Sequence, residues 1–344
     1  MDRRWKMGIA GLTALLVVVL VWSAAPRVFR RPAPFEVVGY VHDPASGLAS
    51  ARAHADKLTS LSPLWFSIGS NGALVDPRPD PALRELARSQ RIPLVVLINN
   101  KKGGGDNGQF LRSDSTRRRA VQEITALVER EGYEGVNIDV QEVKPELREE
   151  LTAFIRDLSR ALHGKKKIVA VSVIPPVGVS PDVTQVYDYR ALGQAADYLV
   201  FFGYDRHNPS TGPGAIGPTD WVEANIKKLS SLVPARKLVL GVGVYGYDWP
   251  SPARSPMDVQ PLSMAEARSL AQVHHARLNV QPGGQVQFFY TTGGRSHEVW
   301  FQDATNLKEK MDLAKRYSLR GIALWRLGFE EPDHWKVIPP ARRR

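Results

Sequence analysis

Eight short apolar runs, separated by stretches with helical patterning, constrain this chain more than any other feature. They are 35–41 (FEVVGYV), 62–69 (SPLWFSIG), 92–99 (IPLVVLIN), 135–140 (GVNIDV), 167–174 (KIVAVSVI), 197–204 (DYLVFFGY), 237–247 (KLVLGVGVYGY) and 321–327 (GIALWRL). Several are apolar almost throughout, which is the pattern of parallel strands covered on both faces. Amphipathic helical stretches lie between them at 45–60, 80–90, 115–131, 145–163, 220–233 and 304–318. Eight strands alternating with helices predict an α/β chain that closes into a (β/α)8 barrel, with its working end at the C-terminal mouth of the strands. One connection is unlike the rest. From Trp249 to Asp303 the chain holds a helical piece, 263–278, and two strand-like pieces, "GQVQFFYTT" and "SHEVWFQD". These predict a small α+β insertion, about 250–303, between the seventh strand and the last helix.

The barrel segment is expected over 35–338, with a basic tail at 339–344. Ahead of it come a basic stretch, 1–6, and 19 uncharged residues, Met7 to Ala25, followed by the proline-bearing linker 26–34. Nineteen such residues reach across a bilayer core as a helix. The expectation is a single-pass transmembrane anchor with the barrel outside the cytoplasm of a bacterial cell, or a secreted domain if the segment is cut after Ala25. The chain has no cysteine, so disulfides, thiolate metal sites and thiol nucleophiles are excluded. The formal charge of +11 favours anionic surroundings such as acidic wall polymers or lipid headgroups. No nucleic-acid-binding signature accompanies that charge, and nucleic acid is not expected as a partner. The glycine-rich loop "KKGGGDNGQF" lacks the ending of a phosphate-binding loop and reads as a rim loop.

The fourth run carries the chemistry. In "EGVNIDVQ" (134–141) the alternation of a strand puts Val136, Ile138 and Val140 on one face, and Asn137, Asp139 and Gln141 on the other. The apolar set suits packing under helices. The polar set then faces the barrel interior and rises toward the mouth, and buried polar side chains need partners or a purpose. Glu142 has the opposite parity and points away while the strand persists. An early strand end would swing it inward. Asp205 and Asp303 are further carboxylates expected near the mouth. His42 and His207 lie at strand ends without a third ligand in reach by spacing, so hydrogen bonding at the rim is expected in place of a metal. Trp65, Tyr204, Tyr245, Tyr247, Trp249, Trp300 and Trp325 mostly fall at the expected strand ends. Sugar C–H faces stack on such rings, whereas ordinary core packing accounts for rings elsewhere.

The stretch "EGVNIDVQ" resembles the D-G-x-D-x-D-x-E strand of glycoside hydrolase family 18, the chitinase family, and especially its bacterial spore-cortex and peptidoglycan-hydrolase branch. The likeness continues through "YDYRALGQAADYLVFFGYDRH" (187–207), "KLVLGVGVYGYDW" (237–249) and "HEVWFQDATNLKEKMDLAKRYSLRGIALWRLG" (297–328). It implies substrate-assisted cleavage, in which the acetamido oxygen of the sugar is the nucleophile, so that the protein supplies one acid and a clamp for the N-acetyl group. On that resemblance Asp139 polarises the N-acetyl group with Tyr204, and Asn137 supports Asp139. Trp325 floors the sugar site, and Asp205, Tyr245 and Trp300 line it. No cofactor is implied. The acid position is Gln141, whose amide has no proton to give near neutral pH. The expected function is recognition of an N-acetylglucosamine-containing glycan, peptidoglycan or chitin-type, in the cell envelope, with hydrolysis lost or reduced. The alternatives are an active glycosidase with Glu142 as the acid, and an anchored assembly protein that no longer binds sugar. Oligomeric state is not legible.

Overall fold

The structure is a computed structural model that describes residues 34–100 and 107–341. The expected anchor at 7–25 lies outside the described residues, and among those described no helix is long and apolar enough to cross a membrane.

Eight strands form the frame: β1 (Glu36–Val41), β2 (Ser60–Ile68), β3 (Val95–Asn100), β4 (Gly135–Asp139), β5 (Ile168–Val173), β6 (Tyr198–Phe202), β7 (Leu238–Gly243) and β8 (Gly321–Trp325). Each pairs in parallel with its neighbours in chain order, and β8 pairs with β1, so the sheet closes on itself. The closed (β/α)8 barrel expected from the spacing of the apolar runs is therefore the observed architecture.

Alternation along the strands sorts the side chains. Val38, Tyr40, Leu97, Ala170, Tyr198, Val200, Val239 and Ala323 pack together as the barrel's inner filling. Val37, Val41, Val136, Ile138, Val169, Leu240 and Leu324 belong to the larger core between strands and helices. The helices begin where the sequence supplies caps. Asp43, Asp80 and Asp303 each accept hydrogen bonds from backbone N–H groups of the first turn of Pro44–Ala53, Pro81–Ser89 and Ala304–Arg316. Proline stands at the first helical position of the first two, where a missing N–H is harmless.

Three departures from expectation matter most. The run 237–247 is not one strand. β7 ends at Gly243, and Gly246–Ser251 turns away to join a separate antiparallel sheet ordered 260–262, 246–251, 295–302, 285–292, 279–281. Helix Met264–Val273 packs on one face of that sheet through Met264, Ala267, Val286, Phe288, Val299 and Phe301. A helix at Tyr189–Ala195, absent from the pattern reading, crosses between β5 and β6. It has only seven residues, too few for a helical period to show. Finally, β4 stops at Asp139, so Gln141 lies beyond the strand rather than on it.

Candidate glycan site at the barrel mouth

Asn137 and Asp139 are buried on the inner face of β4. Asn137 is fixed from both sides: its Nδ2 donates to the Tyr40 hydroxyl (2.7 Å) and its Oδ1 accepts from Ser172 Oγ (3.2 Å). Tyr40 and Ser172 are themselves 3.4 Å apart, so β1, β4 and β5 share one buried polar triangle. This accounts for Asn137 as a satisfied amide just below Asp139. Tyr40 was missed at the sequence level, although its even spacing from Val38 puts it on the inner face of β1.

Gln141 leaves the strand, yet its side chain returns to it. Nε2 donates to Asp139 Oδ1 at 2.6 Å. The backbone at Gln141 is clasped by one amide on β3: Asn100 Oδ1 accepts from Gln141 N (3.0 Å) and Asn100 Nδ2 donates to Gln141 O (2.7 Å). Tyr187 donates to Val140 O at 2.9 Å and ties down the intervening residue. The chain then turns through Glu142, whose φ of 56° is left-handed. Glu142 is exposed, and its Oε2 accepts from Asn107 Nδ2 at 2.7 Å, on the rim rather than beside Asp139.

Aromatic rings surround this pair. Tyr204, two residues past the end of β6, is 6% exposed. It stacks on Phe202 (5.0 Å between centroids) and lies nearly parallel to Trp325 (6.4 Å, 17°). Burial, with the nearby Tyr40, Asp205 and Asp139 adding to it, pushes the Tyr204 hydroxyl well above the ordinary phenol range, so it stays a donor. Trp325, only partly buried at the end of β8, meets Tyr40 edge-on at 5.4 Å. Asp205, held at a φ of 60°, accepts from the hydroxyls of Tyr245 and Tyr247, the latter at 3.1 Å. Both phenols are raised, first by burial and next by Asp205.

The sequence "GVGVYGY" explains how these rings fit. Gly241 and Gly243 fall on the inner face of β7. A Cβ at Gly241 would stand 3.0 Å from Tyr204 Cε1, and one at Gly243 would stand 2.7 Å from Tyr245 Cε1. Hydrogen in place of a methyl group is what lets Tyr204 and Tyr245 lie over the strand end.

The other expected residues divide. Trp249 and Trp300 pack with Tyr204, Tyr245, Tyr247 and Trp325 along the junction of the barrel and the small sheet. Trp300 Nε1 donates to Glu298 Oε1 at 2.7 Å. Trp65 is not at the mouth: it is 4% exposed in the core under the helices, tilted on Tyr133. Asp303 is not a mouth carboxylate either, because its Oδ1 is committed to the cap of Ala304–Arg316. His42 accepts from Arg326, and His207 sits in the loop after β6. Lys310 was also missed. It is fully buried on the apolar face of its helix and donates to Gly203 O (3.1 Å), the residue before Tyr204, and to Gln302 Oε1 (2.6 Å). Burial pulls its pKa down to about 7. Its spacing of three residues from Leu307 puts it on the buried side of the helix, but a lysine there reads in the sequence as a surface cation that lays its stem on the core.

Chemically, the mouth offers a buried carboxylate beside an amide donor, a phenol donor, and a partly exposed indole face. That set can hydrogen-bond a polar ligand through Asp139 and Tyr204 and stack an apolar face on Trp325. Residues 36–330 match the profile of the family described as Glycosyl hydrolases family 18. The chain is 30% identical over 298 residues to the cortical fragment-lytic enzyme of Bacillus subtilis (strain 168), spanning 84% of this chain and 69% of that protein. Among solved structures, a chitinase from Chromobacterium violaceum superposes with a TM-score of 0.81 at 28% identity, covering 89% of this chain and 98% of the other. The Bacillus cereus spore cortex-lytic enzyme SleL superposes with a TM-score of 0.80 at 25% identity, covering 89% and 74%.

Proposed function

The chain belongs to glycoside hydrolase family 18, and from that premise we propose that its barrel mouth binds an N-acetylglucosamine-containing glycan, peptidoglycan or chitin-type, with hydrolysis lost or reduced. The observation that carries the second half is the 2.6 Å contact from Gln141 Nε2 to Asp139 Oδ1. In the family's scheme the side chain at that place protonates the glycosidic oxygen; an amide donates hydrogen bonds but transfers no proton at neutral pH. The binding half draws support from relatives named for cortex lysis and chitin hydrolysis, together with the nearness of Tyr204 to both Asp139 and Trp325.

In this reading Asp139 and Tyr204 orient the acetamido group and Trp325 stacks under the sugar. Gln141 holds the Asp139 carboxylate in a fixed orientation, and the glycosidic bond stays intact for want of an acid. Glu142 is the weaker candidate for that acid: its carboxylate is exposed and engaged by Asn107 on the rim. Titrating the purified chain with chitotetraose and with peptide-free peptidoglycan oligosaccharides, while following new reducing ends, separates the readings. Saturable binding without turnover is the expected outcome. Turnover that disappears in Glu142→Gln would move the acid by one residue, and absence of binding to either glycan would remove the reading altogether.

We place the barrel outside the cytoplasm, held by residues 7–25, on the length and apolar character of that segment. Fractionation that recovers the full-length chain with membranes, open to added protease in spheroplasts, is the expected result.

A further inference from the structure

We propose that Arg326, steered by His42, is a carboxylate-binding subsite beside the Trp325 platform, selecting glycans whose sugars bear a carboxyl group. The proposal rests on the glycan reading above and adds which glycan.

The placement comes first. His42 follows the end of β1 and Arg326 follows the end of β8, and these two strands are hydrogen-bonded neighbours in the barrel wall. Both residues therefore emerge at the mouth. The His42 ring meets Trp325 edge-on, 6.1 Å between centroids, so the cationic group and the platform are joined through one imidazole.

The guanidinium is built in rather than trailing in solvent. Its Nη1 donates to His42 Nδ1 at 2.5 Å, and its Cζ lies 4.0 Å from the centroid of the Phe329 ring. It is half-buried, and burial lowers its pKa from the usual arginine value. Drawing a guanidinium out of water is costly, and a carboxylate in contact offsets that cost. Arg320 in this chain is such a case, paired with Glu36 at 2.8 Å. Among the described residues Arg326 has no such ion pair.

The two carboxylates that act on it do so from a distance and are engaged elsewhere. Asp43 Oδ1 accepts from Ser46 N and Oγ at the start of Pro44–Ala53. Glu266 Oε2 accepts from Ser263 N and Oγ at the start of Met264–Val273. Besides these two carboxylates the charge acting there is positive: burial first, then Arg326, and after them Arg78 push the pKa of His42 down, against Asp43, which raises it. A neutral imidazole offers Nδ1 as an acceptor and so fixes one N–H of the fork. The other guanidinium N–H groups remain for a planar anion, and a carboxylate matches that fork.

A homopolymer of N-acetylglucosamine has no such group, whereas N-acetylmuramic acid carries a lactyl carboxylate. Three tetrasaccharides separate the cases at constant ionic strength. They are the peptide-free alternating N-acetylglucosamine–N-acetylmuramic acid tetrasaccharide, the same molecule with its carboxyl groups reduced to alcohols, and chitotetraose. The carboxylated one is expected to bind about 10- to 100-fold more tightly than the other two. Arg326→Gln should erase that preference while leaving chitotetraose affinity within about threefold, and Arg326→Lys should retain part of it, since the point charge survives without the fork. A melting curve checks that each variant is folded. Equal affinity of the wild-type chain for the carboxylated and reduced tetrasaccharides overturns the subsite but leaves the glycan reading standing. So does a preference that persists in Arg326→Gln. If none of the three binds, the glycan reading itself fails, and the subsite with it.

Discussion

Replacing Gln141 by glutamate puts an acid where the family's scheme needs one, and the local geometry sets the proton balance. Gln141 Nε2 stands 2.6 Å from Asp139 Oδ1. Two ionised carboxylates at that separation repel by roughly 6 kcal/mol at an effective dielectric of about 20, which is an upper bound because the introduced side chain can rotate away. At 1.36 kcal/mol per pH unit, that bound spans about four units, so the two carboxyls share one proton through the neutral range. A shared proton in contact with the N-acetyl clamp is what a general acid requires. Gln141→Glu is therefore expected to raise the release of reducing ends from chitotetraose or peptidoglycan oligosaccharides by about 10²- to 10⁴-fold over the natural chain, with activity falling on the alkaline side as the shared proton is lost. Asp139→Ala in the same background should abolish the gain, since the acetamido N–H then lacks the acceptor that orients the group. Reasoning from the acid alone is refuted if Gln141→Glu binds glycan with unchanged affinity yet cleaves none. It is refuted equally if the natural chain already cleaves and Gln141→Glu makes no difference.

Lys310 gives the fold a definite pH dependence. Its pKa falls from 10.5 in an unfolded chain to about 7 in the fold, so between those values the unfolded chain holds more protons and stability rises with pH. The full span is worth at most roughly 5 kcal/mol. Lys310→Met should remove that slope, so urea denaturation of the two chains at pH 7 and pH 9.5 is expected to differ in trend. Parallel curves would show that Lys310 is charged in the fold. Gly243→Ala is expected to destabilise by about 1–3 kcal/mol and to weaken glycan binding, because its methyl group must displace the ring of Tyr245 and crowd the Cβ of Tyr204. Gly164→Ala, whose nearest neighbours are 3.6 Å away, is the control and should change neither melting temperature nor binding appreciably. Equal effects at both glycines would refute the ring-clearance argument.

Parity and spacing, which are local, were enough to determine the barrel. Eight apolar runs at helical separations leave few other ways to bury both faces of a parallel sheet. The alternation in "EGVNIDVQ" placed Asn137 and Asp139 inside and Val136 and Ile138 outside, as observed. The aspartate–proline pairs at 43–44 and 80–81 mark the starts of two helices through a cap and a preset φ, again a local effect. What the sequence could not decide were the places where distant segments meet. β4 ends at Asp139 because Asn100 and Tyr187, 41 and 47 residues from their partners, clasp the backbone that follows. That early end, not strand parity, sets where Gln141 and Glu142 point. "KLVLGVGVYGY" reads as one strand because its apolar pattern is unbroken. It divides at Gly243 because strand 295–302, more than 40 residues on, captures Gly246–Ser251. Lys310 and Arg326 look like ordinary surface cations in one dimension. Only the packing of a helix beneath Gly203, and the adjacency of β1 and β8, buries the first and leaves the second, among the described residues, without a carboxylate in contact.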